Sequence, residues 1–145
     1  AGKFTKAHAG EFCGADFVRF AVETLGVSRV EHGVRASEDP AVVALLRERD
    51  VTLDVCPISN IKLDVFPTYA EHSLPQLVDA GVRCTINSDD PVSFGNRLTD
   101  DYMALVQRMG FKPEALKDFA RNGLKVALVD QKTRSKWLQE LDNVS

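Results

Sequence analysis

The sequence has 145 residues, of which 44% are hydrophobic and 27% are charged, and its formal net charge is −3. These values are ordinary for one globular domain, so residues 1–145 are treated as a single segment. The absence of a basic stripe argues against a nucleic-acid partner, and no apolar run approaches the ~18 residues that a membrane span needs.

Strands and helices are predicted to alternate along most of the chain. Apolar and β-branched runs predict strands over residues 4–8, 29–32, 51–55 and 82–87. Helical spacing of apolar residues, together with Asp39-Pro40 as a helix start, predicts helices over residues 14–25, 39–49 and 74–80. Residues 56–71 are predicted to be a mixed connection, and further helices are expected around 102–109, from Pro113, and over 132–141.

This order predicts an α/β fold with a parallel sheet. Four strand–helix units make half of an eight-stranded (β/α) barrel, here with extra helices after the fourth unit. A half barrel standing alone would leave two open sheet edges and a bare apolar inner face, so we expect it to self-associate.

Four short motifs place polar residues at the ends of the predicted strands. They are His8-Ala9-Gly10-Glu11, Glu31-His32-Gly33, Cys56-Pro57-Ile58-Ser59-Asn60 and Ser88-Asp89-Asp90-Pro91. In barrels of this kind, catalytic groups collect at the carboxyl ends of the strands. The residue types predict metal-assisted hydrolysis.

The first motif offers a ligand and an acid. The His8 imidazole can bind a divalent metal, and Gly10 permits a sharp turn that lets the Glu11 carboxyl reach the same cavity as a proton donor. The alternative is that His8 is a hydrogen-bonded core residue and that Glu11 is a charge at a helix N-terminus.

The second motif is a candidate for the site because of its position at the end of a strand. His32 would point into the same barrel mouth as His8, where it could orient a metal-bound water and take part in proton transfer. Strand alternation predicts that Glu31 lies on the opposite side.

The fourth motif contains adjacent carboxylates, Asp89 and Asp90. A bound cation would relieve the burial of one, while alternation lets the other face a substrate. The alternative is an Asx turn or a helix N-cap before Pro91.

The remaining polar residues are weaker candidates. His72 is expected to have a capping or surface role, and Ser59-Asn60 either lines the pocket or builds a turn. Cys13, Cys56 and Cys84 are interpreted as buried thiols in a reducing compartment, which favours the cytoplasm. No signal peptide is visible, although removal of one would also leave a start at Ala1.

Taken in order, the four motifs resemble the adenosine and adenine deaminase family of metal-dependent amidohydrolases. The matching stretches are residues 6–11, 30–33, 56–60 and 85–91. The resemblance implies that His8 and Asp89 are zinc ligands and that Glu11 protonates the purine ring nitrogen next to the attacked carbon. It also implies that His32 orients and deprotonates the metal-bound water, and that Asp90 binds the imidazole edge of the purine.

The chain departs from the family in lacking the His-x-His motif of the first barrel strand, which would add two ligands. The resemblance therefore implies the C-terminal half of the barrel, one Zn²⁺ per complete site, and further ligands from the missing N-terminal half. Residues 59–66 and 90–95 look slightly closer to the adenine deaminase branch than to the nucleoside branch.

The sequence thus predicts part of a zinc-dependent enzyme that hydrolyses a 6-aminopurine to the 6-oxo product and ammonia. Its expected partners are the purine and the missing half. Two alternatives stay open: an amidohydrolase that acts on another amine or amide, and an inactive half barrel with a structural role.

Overall fold

The computed structural model describes residues 4–144 and contains one parallel sheet of four strands. The strands are β1 (Lys6–Ala9), β2 (Arg29–His32), β3 (Thr52–Val55) and β4 (Arg83–Ile86), in the spatial order β1-β2-β3-β4. All three pairings are parallel, and the alignment sets His8 beside Glu31 and Asp54 beside Thr85. The carboxyl ends of all four strands therefore meet at one edge of the sheet.

Helices follow each strand, and three longer ones close the chain. They are α1 (Ala15–Glu23), α2 (Pro40–Glu48), α3 (Pro57–Lys62), α4 (Leu74–Asp79), α5 (Pro91–Phe94), α6 (Leu98–Arg108), α7 (Pro113–Val126) and α8 (Gln131–Asp142), with a 3-10 turn at Val34–Glu38. The α/β prediction is confirmed, and α3 and α5 are additions to it. No helix within residues 4–144 is long and apolar enough to cross a membrane.

The apolar core lies between the sheet and its helices. Val30 and Leu53 of the central strands have no exposed surface, and neither do Leu46 of α2 or Leu74 and Leu77 of α4. Burial of five such side chains contributes about 1.5–3 kcal/mol each, before the opposing loss of chain entropy. The core thus fixes the strands and the loops that follow them.

The opposite face of the sheet is polar, which corrects the expectation of a bare apolar inner face. Arg29 donates three hydrogen bonds to the Asp54 carboxylate at 2.6, 2.7 and 3.0 Å, and the Thr85 hydroxyl donates to the same carboxylate at 2.7 Å. Lys6 pairs with Glu31 and lines the same cavity as Arg29 and Asp54. The reason is strand alternation, since the apolar residues of each strand face the helices.

The cysteine expectation holds for two residues of three. Cys56 and Cys84 are buried free thiols, whereas Cys13 is an exposed free thiol. Cys13 lies in the loop between β1 and α1, where no layer of the fold covers it.

Candidate active site

Two glycines shape the loops that leave β1 and β2. Gly10 and Gly33 both have a φ of +67°, and a Cβ at either would clash with Val18 or Leu53 of the core. The loops are also joined, because the Gly33 N–H donates to Ala9 O at 3.0 Å. The predicted sharp turn at Gly10 is therefore present, and both strand ends are held together over the core.

Two of the predicted site residues have left-handed backbones. The φ angles of His32 and Asp89 are 60° and 59°. Non-glycine residues in this region cost of order 1 kcal/mol or more, and such strain concentrates at functional sites. At His32 the left-handed backbone breaks strand alternation, so Glu31 and His32 both line the cavity. The prediction that Glu31 lies on the opposite side is wrong for this reason.

His8, Glu11 and His32 form one cluster. His8 Nε2 is 2.6 Å from Glu11 Oε2, and His32 Nδ1 is 3.6 Å from Glu11 Oε1. The two imidazole rings lie with centroids 4.5 Å apart. Glu11 is only 4% exposed, and Arg35 donates to its carbonyl oxygen at 2.8 Å. The carboxyl group is therefore held at the mouth of the half barrel.

Asp89 lies on the other side of His32. Its Oδ2 atom is 3.8 Å from His32 Nε2 and accepts a hydrogen bond of 2.6 Å from the Ser59 hydroxyl. Ser59 is fully buried at the start of α3. The Ser59-Asn60 segment was predicted to line the pocket or to build a turn, and here it orients site residues from a helix.

A buried chain of hydrogen bonds leads from α4 to His32. The Leu74 N–H donates to His72 Nδ1 at 3.0 Å, His72 Nε2 is 3.1 Å from Asn60 Oδ1, and Asn60 Nδ2 is 3.2 Å from His32 Nδ1. Burial lowers the pKa of His72 to about 4. The capping role predicted for His72 is confirmed, and the surface alternative is wrong because this side chain is buried.

His32 is the buried centre of the cluster. Burial lowers its pKa below the ordinary value of 6.5, and the neighbouring Glu11 carboxylate opposes that shift. The folded protein therefore favours neutral His32. Neutral imidazole can accept a hydrogen bond at one nitrogen while it donates from the other.

Asp90 is not brought into this cluster. It is exposed and caps α5, where its Oδ1 atom accepts from the Val92 and Ser93 N–H groups at 3.1 and 3.2 Å. Hydrogen bonds from Ser93 hold the pKa of Asp90 below its usual range. The predicted N-cap is thus present, and Asp90 is absent from the cavity lining as far as the described residues define it.

The cluster opens into a cavity of about 500 Å³ at the carboxyl ends of the strands. Its lining includes the predicted residues His8, His32 and Asp89, and it also includes Asn87 of the β4 loop and Leu98 of α6. A mostly polar cavity of this size can hold a small heterocycle together with an ion.

Two sets of donor atoms could each hold a metal ion, and the predicted ligands His8 and Asp89 fall into different sets. His8, Glu11 and His32 place their ligand atoms within 4.8 Å of one another, and so do His32, Cys56 and Asp89. Burial, with a contribution from Asp89, raises the pKa of the Cys56 thiol. Glu11 Oε1 is buried and has no hydrogen-bond partner within residues 4–144. Imidazole nitrogens with a carboxylate oxygen are a typical zinc set.

Comparison with known proteins gives one consistent result. The adenosine deaminase family model matches residues 1–144. The chain is 41% identical over 138 residues to an adenine deaminase of Streptomyces coelicolor, which covers 94% of this chain and 41% of that protein. The chain therefore spans less than half the length of this relative.

Solved structures agree. The crystal structure of an adenine deaminase from Arthrobacter aurescens superposes with a TM-score of 0.92 at 33% identity, over 97% of this chain and 43% of that one. An amidohydrolase from Burkholderia ambifaria with bound Zn gives a TM-score of 0.87 at 30% identity, over 97% and 41%. The fold is that of the C-terminal half of a (β/α) barrel, as predicted.

Proposed function

The chain belongs to the adenosine deaminase family, and from this premise we propose that it carries half of the active site of an enzyme that deaminates adenine. The reaction adds water across the bond between C6 and the adjacent ring nitrogen of the purine, with hydroxide on C6 and a proton on the nitrogen, and then expels ammonia and leaves hypoxanthine. The observation that carries the proposal is the grouping of His8, Glu11, His32 and Asp89 at the mouth of the half barrel.

His8 and Asp89 are proposed to hold one Zn²⁺, which supplies a water of lowered pKa as the nucleophile. Two protein ligands are fewer than a catalytic zinc site uses. Further ligands are therefore expected from the rest of the barrel, which is the partner that completes the site. His8 Nε2 bonds Glu11 at 2.6 Å, so ligation through that atom would release the carboxyl group.

Glu11 is the proposed acid. Its carboxyl group lies beside His8 and is held by the Arg35 hydrogen bond to its backbone. A protonated carboxyl at this place can donate to the ring nitrogen next to C6, which makes that carbon more electrophilic. Asn60 holds His32 beside this carboxyl group, and Ser59 fixes the orientation of Asp89.

Asp90 is proposed to bind the imidazole edge of the purine. It is one residue from Asp89 and is fixed by its capping of α5. A capped carboxylate retains acceptor capacity, since its two oxygens offer about four lone-pair sites. The proposed substrate is adenine because the relatives at 41% identity or more include adenine deaminases.

The test is ammonia release by the complete protein, purified with zinc, from adenine and adenosine in parallel. We expect turnover of adenine with a kcat/KM at least 10²-fold above that for adenosine, a gap of about 2.7 kcal/mol. Preference for adenosine would replace the substrate within the same reaction. Release of ammonia from neither purine would remove the proposal.

A further inference from the structure

We infer that His72 and Asn60 are positioning residues which fix neutral His32 in one tautomer, with its proton on Nε2 and directed toward Asp89. The consequence for catalysis rests on the proposed function, whereas the tautomer itself follows from the hydrogen bonds. One group in this series of hydrogen bonds can only donate.

That group is the backbone N–H of Leu74, which lies 3.0 Å from His72 Nδ1. A backbone amide can only donate, so His72 Nδ1 must be the acceptor and carries no proton. His72 is 3% exposed, and burial lowers its pKa to about 4. At neutral pH it therefore has one proton, and that proton is on Nε2.

His72 fixes the orientation of the Asn60 amide. His72 Nε2–H lies 3.1 Å from the Asn60 side chain, and only an oxygen can accept it. The amide oxygen must therefore face His72, and the NH₂ group must face the other way. Asn60 has no exposed surface, so water is not available to rescue the flipped amide.

Asn60 in turn fixes the tautomer of His32. The Asn60 NH₂ group is 3.2 Å from His32 Nδ1, so this nitrogen accepts and the proton of neutral His32 is on Nε2. Glu11 Oε1 is 3.6 Å from the same Nδ1 and would favour the opposite tautomer. That separation is beyond hydrogen-bond length, and the Asn60 contact is within it.

The direction of these hydrogen bonds changes what His32 can do. Its Nε2 atom is 3.8 Å from Asp89 Oδ2, on the side where a zinc ligand is proposed. With a proton on Nε2, neutral His32 offers a hydrogen-bond donor on that side and cannot accept a proton through that atom. The resemblance to the family implied that His32 deprotonates water, and the hydrogen-bond chain gives it the role of a donor instead.

The direct test is the nitrogen NMR spectrum of the complete zinc-loaded protein labelled with ¹⁵N-histidine. The resonances of His32 are assigned by their loss in His32→Gln. We expect couplings to the ring protons that identify Nε2–H and an unprotonated Nδ1. A wild-type spectrum with the proton on Nδ1 would overturn the inference, whether or not the protein deaminates adenine.

The matched variant is Asn60→Asp, which still accepts from His72 but offers no donor to His32. We expect the His32 proton to move to Nδ1 and kcat to fall at least ~10²-fold, while KM changes less than about threefold, because a misplaced proton impairs the reaction more than binding. Retention of the wild-type tautomer, or kcat within about threefold of wild type, would contradict the role of Asn60.

Two further variants separate positioning from general loss of structure. His72→Gln keeps a donor near the Nε2 position, so the tautomer and most of kcat should be retained. Ser73→Ala removes a buried hydrogen bond to Val34 O at 2.7 Å that is not one of the hydrogen bonds between Leu74 and His32. It should leave the His32 resonances unchanged. If Asn60→Asp does not fold, the wild-type tautomer and the His72→Gln spectrum decide the question.

Discussion

Glu11 is the residue at which a single substitution tests the proposed chemistry most directly. In the complete protein, Glu11→Gln should bind zinc and fold normally but lose about 10²–10⁴-fold in kcat, because an amide cannot donate the proton that a carboxyl supplies. The glutamine side chain has the shape of glutamate and can keep the contact with His8. The Arg35 hydrogen bond goes to the backbone oxygen and is not changed by the substitution. The measurement is ammonia release under saturating adenine, with zinc content determined on the same samples.

The matched control is Glu48→Gln, which removes a carboxylate from the exposed face of α2. It should leave kcat within about twofold of wild type, since exposed substitutions away from special contacts are close to neutral. Wild-type turnover by Glu11→Gln would show that the acid is another group.

Substitutions can distinguish the two proposed zinc ligands, His8 and Asp89, from the adjacent Asp90. His8→Ala and Asp89→Ala in the complete protein should each reduce bound zinc well below one ion per chain, because each removes one of a small number of ligands. Asp90→Asn is the control, since asparagine can also cap α5. It should keep its zinc and raise KM for adenine, as loss of a substrate contact requires.

Elemental analysis after dialysis decides between these outcomes. Full zinc in either alanine variant would remove that residue from the ligand set. Unchanged KM in Asp90→Asn would leave Asp90 with its capping role alone.

At the scale of elements, the sequence predicts most of the fold because its local signals are strong. Asp39 followed by Pro40 predicts α2, and in the structure the Asp39 carboxylate accepts from the Ala41 N–H at 2.8 Å. The strand at residues 29–32 is found with the predicted bounds. Helix α3 was missed because it has only six residues and a polar sequence, although Pro57 at its first turn is a usable start signal.

The site could be predicted only in part, because its connections are not local. The strand-end motifs identify His8 and His32, which lie on adjacent strands and stack at 4.5 Å. The sequence does not reveal that His72 bonds Asn60, twelve residues earlier, or that Asn60 bonds His32 on another element. Nor does strand periodicity predict a left-handed His32, which is what brings His32 to the same cavity as Glu31.

The start of α4 should make stability depend on pH. The His72 pKa falls from 6.5 in the unfolded chain to about 4 in the fold, so the unfolded state binds more protons between these values. The free energy of unfolding therefore falls as pH is lowered from 6.5 toward 4, with His72 contributing up to ~3 kcal/mol. In His72→Gln this part of the pH dependence should be absent.

Urea unfolding of the metal-free complete protein at a series of pH values measures this effect, since metal removal takes out the pH dependence of metal binding. The quantity of interest is the difference between wild type and His72→Gln, in which the other carboxylates and histidines cancel. Parallel curves over the whole range would show that His72 titrates normally.

For the whole molecule, the two outer strands of the sheet and a group of phenylalanines lack neighbours in the part that the structure describes. Strands β1 and β4 each pair with one strand only. Beside β1, Phe12 is 61% exposed, and Phe17 and Phe20 of α1 are each 52% exposed. The inner face differs from them because its charges are already paired across the strands, as in Arg29 with Asp54. Self-association is therefore expected through the edges and the phenylalanines rather than through the inner face.

The chain prepared alone should consequently be inactive and associated. With only His8 and Asp89 as proposed ligands, zinc would be held weakly, and bulk water in the open cavity would weaken each electrostatic contact. We expect no measurable ammonia from adenine with added zinc, and elution from a sizing column above the 16.0 kDa of one chain. Phe17→Ser combined with Phe20→Ser should shift elution toward the monomer, whereas Phe94→Ser on α5, away from β1, should not. Robust turnover by a monomer would mean that these residues complete a site without the rest of the barrel.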